Sequence, residues 1–336
     1  MRSLLLRTAM AVVAALAIAA CLFACTSEAE KPAGPPERVT IAYSATTDAV
    51  LAEVAQTLGY YLEEGLAVTP RLHHYGKPAL EDLLAGKADF ATAAETPIMF
   101  AIMKGAKISI IATIETSNRG NAVIARRDRG INNLGDLKGK RIAAIAGTTS
   151  DFYLNSLLAI NGISRKDFEV VDLKVEELSG ALERGEVDAI STFTPYTVHA
   201  QRRLGENGIT FHDKEIYTWT FNLVATQEFI RMHPERVRKV LKALVRAEDF
   251  VEQNPAEAQR IVAAFSGEEL EVVRGIWPDI RFRVSLDQAL LLALEDESRW
   301  AMRAGLAPGK DIPNYLDFIY CDGLKSVKPQ AVSILR

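Results

Sequence analysis

Gly86-Lys87-Ala88-Asp89-Phe90-Ala91-Thr92-Ala93-Ala94-Glu95-Thr96-Pro97 is answered further along the chain by Gly185-Glu186-Val187-Asp188-Ala189-Ile190-Ser191-Thr192-Phe193-Thr194-Pro195. In both stretches a glycine precedes an aspartate by three positions and a short apolar run follows. A threonine-proline pair then opens a helix, the proline lying eleven positions after the glycine in the first copy and ten in the second. A second correspondence keeps the same order: Val39 to Ser44 with the turn Thr46-Thr47-Asp48, and Lys140 to Ala146 with Gly147-Thr148-Thr149-Ser150-Asp151. Each reads as strand, tight turn and helix start. Two matched pairs in one order argue for α/β architecture in two lobes of similar topology, each built on a mostly parallel sheet.

Outward from these stretches, strands are expected at Leu66 to Leu72, Ile108 to Ile114, Ala122 to Arg126 and Leu223 to Thr226. Helices are expected at Asp48 to Leu58, Pro78 to Ala85 and Pro97 to Lys104, the first closed by Gly59 and the last by Gly105. From Pro234 onward the pattern reads as almost entirely helical, so that end has no sheet of its own and must pack on a lobe, the first being favoured. The expected division is residues 39–121 with 223–336 as lobe one and 122–222 as lobe two.

Composition sets the outer limits. The 336 residues are 49% hydrophobic and 24% charged, which excludes wholesale disorder. Lys+Arg 39 against Asp+Glu 43 gives a net charge of −4, and no run of five like charges occurs, so nucleic acid is not an expected partner. Three cysteines exclude a disulfide scaffold and a four-cysteine zinc site. No cofactor and no metal are expected, and the molecule is expected to act as a monomer.

The N-terminus reads as an address. Arg2 and Arg7 precede an uncharged run from Thr8 to Ala24 that ends at Cys25. This resembles the lipobox of bacterial lipoproteins, which implies cleavage after residue 24, a lipid on Cys25 (with Cys21 as the alternative) and a membrane-held protein on the periplasmic side. Loss of Arg2 and Arg7 would take the formal charge from −4 to −6. Residues 25–38 are polar and proline-rich and read as a flexible tether.

Signatures of catalysis are missing: the chain has no G-x-S-x-G, G-x-G-x-x-G, Walker A or H-E-x-x-H motif. His73-His74 ends a strand, where neighbours point to opposite faces, and reads as a solvated loop edge. What stands out is four strand-to-helix turns bearing hydroxyls: Thr46-Thr47-Asp48, Glu95-Thr96-Pro97, Gly147-Thr148-Thr149-Ser150 and Thr194-Pro195-Tyr196. Helix N-termini present unpaired N–H groups and partial positive charge, which suit an oxyanion. Taken singly each hydroxyl could be a plain N-cap. Three further residues are open to two readings. Glu95 either complements its helix dipole or accepts from a ligand ammonium. Arg119 is either solvated or a ligand contact. Trp219 either lines the cleft or braces the hinge.

Lipobox, Leu58-Gly59-Tyr60-Tyr61-Leu62-Glu63-Glu64-Gly65-Leu66, Leu84-Ala85-Gly86-Lys87-Ala88-Asp89, Leu134-Gly135-Asp136-Leu137-Lys138-Gly139-Lys140-Arg141-Ile142, Gly147-Thr148-Thr149-Ser150 and Gly185-Glu186-Val187-Asp188-Ala189 follow in an order that resembles the periplasmic solute-binding proteins of nitrate/sulfonate/taurine-type ABC importers, including their thiamine-precursor branch. The resemblance implies a two-lobed type II periplasmic-binding fold with two crossover strands and a closing cleft. It implies an ABC permease and its ATPase as partners, a small anionic or zwitterionic solute, and contacts at Thr46, Thr47, Glu95, Thr96, Thr148, Thr149 and Thr194. The alternatives are a ligand sensor for a membrane signalling protein and a binder of a thiamine pyrimidine precursor. The cysteine-rich motif of the precursor branch is missing here. Glu95 would repel a bare anion such as nitrate unless Arg119 offsets it.

Overall fold

The two matched stretches fold alike because each places its strand in the same position of its own sheet. In the computed structural model, which describes residues 34–307 and 311–335, the first sheet contains β1 (Glu37–Ser44), β2 (Leu66–His73), β3 (Phe90–Ala94), β4 (Ile108–Ser117), β10 (Trp219–Thr226) and β11 (Ile280–Ser285). Its order is β11-β4-β10-β3-β1-β2. The second contains β5 (Asn121–Arg126), β6 (Arg141–Ala144), β7 (Glu169–Asp172), β8 (Ala189–Phe193) and β9 (Gly208–Phe211), in the order β7-β6-β8-β5-β9. The runs β10-β3-β1-β2 and β5-β8-β6-β7 are the same arrangement in the two lobes.

The repeated aspartate has a structural task. Asp89 Oδ2 accepts from the Thr40 N–H at 2.7 Å and Asp188 Oδ2 from the Arg141 N–H at 2.9 Å, while their own N–H groups donate to Thr40 O and Arg141 O. Each aspartate therefore fixes the register between its strand and the parallel neighbour, an interaction of about 1 kcal/mol per bond. The motif that reveals the repeat thus serves the fold, not the site.

Both sheets are mixed, which corrects the expectation of mostly parallel ones. β1–β2, β1–β3, β6–β7 and β6–β8 pair in parallel, but β10 runs antiparallel to β3 and β4, and β5 runs antiparallel to β8 and β9. β5 and β10 are the strands that enter each sheet after the chain has crossed from the other, so they arrive reversed. A second correction concerns the C-terminal region, where the charged, alternating Ile280–Ser285 forms edge strand β11 on β4. Its exposed arginines hid its period-2 pattern within helical surroundings.

The principal helices are α1 (Val50–Thr57), α2 (Gly76–Leu84), α3 (Glu95–Met103), α4 (Thr149–Ile160), α5 (Val175–Arg184), α6 (Tyr196–Leu204), α7 (Pro234–Gln253), α8 (Pro255–Ser266) and α9 (Gln288–Arg303). α7 buries Val237, Val240, Leu241, Leu244, Ala247 and Val251, a stripe at helical spacing that packs on α1. In the second sheet, Val123 and Ala125 join one apolar cluster while Ala122 and Ile124 join the other. Helices therefore cover both faces, which is why such strands read as continuous apolar runs. Cys21, Cys25, the signal segment and most of the tether lie outside the described residues. The described chain enters β1 at Glu37, two positions before the strand expected at Val39.

Candidate functional site

Helices start where parallel strands end, so the N-termini of α2 and α4 and the turn after β1 all meet at one cavity between the sheets. Its open volume is about 30 Å³, and Asp48, Ala94, Trp219 and Phe221 line it from the first lobe, with Thr148, Thr149 and Phe193 from the second. That space holds one or two waters, so the two lobes are closed on each other here. Lys77 Nζ donates to Ala146 O at 2.9 Å, the Tyr196 hydroxyl to His74 O at 3.2 Å, and His199 Nε2 meets Glu268 at 2.8 Å, each contact reaching from one lobe to the other.

The Gly147 turn is the most open of the expected oxyanion sites. Gly147 has φ +68°, and its N–H donates to Asp151 Oδ2 at 3.3 Å. Its Cα flanks a neighbouring surface hollow and is not part of the central cavity. Thr148 and Thr149 both line the cavity but differ in use. The Thr148 hydroxyl donates to Ile145 O at 2.7 Å and meets Ser150 Oγ at 3.0 Å. No side-chain hydrogen bond caps α4; the Asp151 and Phe152 N–H groups donate to Thr148 O, and the Thr149 and Ser150 N–H groups have no acceptor among the described residues. The Lys77 ammonium beside Ala146 adds positive charge to that end.

Glu95 and Thr96 are placed elsewhere, in the protein interior. Glu95 accepts from the Tyr217 hydroxyl, from the Thr220 N–H at 2.7 Å and from the Thr220 hydroxyl at 2.9 Å. Thr96 donates to Glu297 Oε1 at 2.7 Å, and Tyr217 lies 3.0 Å from the same oxygen. Burial raises both carboxyls above their usual range, most strongly Glu297, whose proximity to Glu95 adds like-charge repulsion. These hydrogen bonds place Glu95 in an interior network, which neither of its two sequence readings described. Thr194 is half-buried and its N–H donates to Gly120 O at 2.8 Å. Arg119 is half exposed and lies 3.5 Å from Asp279, a solvated pair. The Thr46 hydroxyl donates to Asp48 Oδ2 at 3.1 Å, and the Thr47 hydroxyl, 1% exposed, has no partner among the described residues.

Trp219 both lines the cavity and sits at the crossover, so its two readings hold together. A Cβ on Gly120 would lie 2.3 Å from Trp219 Nε1, so only glycine in the crossover link Asn118-Arg119-Gly120 admits the indole. Sequence reasoning missed Tyr75, Gly76, Lys77, Phe193 and Phe221 in the cavity wall. Tyr75-Gly76-Lys77 is a fifth strand-to-helix turn, without a hydroxyl to mark it. The usable signal was the glycine, since a Cβ there would meet Ala93 Cα at 2.8 Å. His73, expected to be solvated, instead meets Asp82 at 2.9 Å beside Arg71.

Electrostatically the cavity has an acidic side. Burial pushes the Asp48 carboxyl up to about 7. Glu115, from β4, is raised well above its usual range by burial and then by Asp48, and neither of its oxygens has a partner among the described residues.

The chain was compared with known proteins. It is 26% identical over 215 residues to a Bacillus subtilis (strain 168) protein provisionally named as an aliphatic sulfonates-binding protein, covering 64% of each chain. The chain thus spans less than two thirds of that relative's length. Over 223 residues it is 26% identical to the taurine-binding periplasmic protein of Escherichia coli (strain K12), covering 65% of this chain and 67% of the other. The crystal structure of the periplasmic aliphatic sulphonate binding protein SsuA from Escherichia coli superposes with a TM-score of 0.72 at 18% identity, covering 85% of this chain and 98% of that one. The frame is therefore the α/β two-lobed periplasmic-binding-protein fold with two mixed sheets. A family model described as NMT1/THI5 like matches residues 47–258, more than half the chain, and the chain belongs to that family.

Proposed function

We infer that this chain is the solute-binding component of an ABC importer, capturing a small sulfonate- or taurine-like solute between its lobes and releasing it unchanged to the permease and its ATPase. The observation that carries this reading is the convergence of two lobes, through the α2 and α4 N-termini, on one cavity walled by Trp219, Phe193 and Phe221. The unpaired Thr149 and Ser150 N–H groups at the start of α4 and the Lys77 ammonium suit an acidic head group, and the aromatic rings suit a short organic body. The names of the Bacillus and Escherichia coli relatives support the same class of solute. Two lobes joined at Asn118-Arg119-Gly120 and at the start of β10 close by small φ/ψ changes in those links.

The same reading places the protein on the periplasmic side of a bacterial membrane, held by lipid on Cys25 or, alternatively, on Cys21. No helix among the described residues is long and apolar enough to cross a membrane. The test is a thermal-shift panel of sulfonates, nitrate, carboxylates and pyrimidines, followed by recovery of the stabilising compound. Stabilisation by a small organic acid recovered intact is expected, and chemical conversion of the compound would overturn the transport reading. Cys25→Ser should abolish lipid labelling; labelling lost only on changing Cys21 would move the anchor.

A further inference from the structure

The solute reading above leaves one group unused: Glu115, which stands in the first sheet directly opposite Phe221. Opposed residues of an antiparallel pair project from one face, so the Glu115 carboxyl lies on the side where Phe221 lines the cavity. It is 1% exposed, and neither oxygen has a hydrogen-bond partner among the described residues. Two other buried acids, Glu95 and Glu53, are differently provided for. Glu95 takes three donors, and Glu53 accepts from Tyr43 and Thr57. A buried acid without donors is costly unless something else supplies them.

Around Glu115 the unpartnered groups accumulate. Asp48, in the cavity wall, is near enough to repel it and accepts only from the Thr46 hydroxyl. The indole Nε1 of Trp219, whose ring lines the cavity, and the Thr47 hydroxyl beside Asp48 are also without partners, at 5% and 1% exposure. A carboxyl group in the wall with a second one close behind it is the complement of a protonated amine, which brings up to three donors and a positive charge.

We propose, resting on the solute reading above, that Asp48 and Glu115 together receive a protonated amine. The solute class is then a short amino acid of the ω type, an aminosulfonate or its carboxylate counterpart, its acid against α4 and its ammonium against this pair. Neither carboxylate was assigned a role by the hydroxyl-bearing turns, and Glu115 carries no turn signal at all.

The experiment is calorimetric titration of the full chain with matched probes: taurine against isethionate, β-alanine against 3-hydroxypropionate, and ethylamine alone. The amine of each matched pair should bind at least about tenfold more tightly than its hydroxyl analogue. Glu115→Gln and Asp48→Asn should each bring the ratio of amine to hydroxyl-analogue affinity down toward one. Asp48→Asn, at the cavity wall, carries the test if Glu115→Gln does not fold. Equal or tighter binding of the hydroxyl analogues overturns the amine receptor and leaves the acidic-solute reading standing. An amine preference that survives both substitutions overturns this pair as its source. Ethylamine binding with no binding of any acid supports the amine receptor and overturns the acidic-solute reading. No binding by any of the five overturns both.

Discussion

The turns that open α3 and α4 occupy comparable places, each following a central strand of its sheet, yet one is closed and the other is open. At α3, Glu95 and Thr96 are fully buried, and their side chains are consumed by Tyr217, Thr220 and Glu297. At α4, Thr148 and Thr149 line the central cavity, and the Thr149 and Ser150 N–H groups have no acceptor among the described residues. The same sequence pattern, a hydroxyl at a helix start after a strand, gives a structural joint in one place and a cavity wall in the other. What separates them is whether the protein's own donors and acceptors already saturate the turn.

The largest expected effect breaks the closed turn. Glu95→Ala leaves both Thr220 donors without an acceptor and the Tyr217 hydroxyl with only Glu297 Oε1, and should lower the unfolding free energy by about 3–5 kcal/mol in urea denaturation. Glu297→Gln keeps the shape of a carboxyl that burial already favours as neutral, and should cost under about 1 kcal/mol. A change of equal size in both variants would show that the pair is not one charge and one neutral acid.

The open turn is sharpened by separating its two threonines. Thr149→Ala should weaken binding of the stabilising sulfonate about ten- to a hundredfold in calorimetric titration and leave the ligand-free melting temperature nearly unchanged. Thr148→Ala removes a hydroxyl already bonded to Ile145 O and should cost about 1 kcal/mol of stability with little loss of affinity. Equal affinity losses in both would mean that internal hydrogen bonding does not decide which hydroxyl binds.

A smaller effect follows from pH. Asp48, raised to about 7, and Glu95, Glu115 and Glu297, raised by burial, hold protons more firmly folded than unfolded. Between the ordinary carboxylate range near 4 and about 7 the native state therefore binds more protons, and stability falls as pH rises through that window. The ligand-free melting temperature should rise by a few degrees from pH 7.5 to pH 5.5. Burial and the Thr46 hydroxyl act on Asp48, which in turn acts on Glu115 and Tyr196 and shares the cavity lining with Lys77, so Asp48→Asn should flatten part of this slope. Asp82, lowered to about 2 chiefly by Arg71, acts only below this range.

How much of this was legible in the residues follows a physical line. The paired Gly-x-x-Asp stretches disclosed the two-lobed plan because Asp89 and Asp188 do the same work on adjacent strands. Local pattern cannot report strand direction, so the antiparallel entries of β5 and β10 were not visible, and β11 was hidden by its exposed arginines. Thr148, Thr149 and Trp219, named from turn chemistry and placement, all line the cavity. The interior partners of Glu95 were not legible because a sequence does not show that Tyr217 and Thr220 will reach it. Phe193, Phe221 and Glu115 were missed because ordinary strand residues acquire a role only when the sheet presents them to a cavity.

The central claim is that the open turn at α4, between the lobes, holds the acidic head of the solute. The most direct measurement is a sulfur anomalous-difference map from crystals grown with taurine. The account predicts a peak within hydrogen-bonding distance of the Thr149 hydroxyl and the first-turn N–H groups of α4, enclosed by Trp219 and Phe193. A taurine sulfur peak at the start of α3 or outside the interlobe cavity, with none at α4, would contradict it.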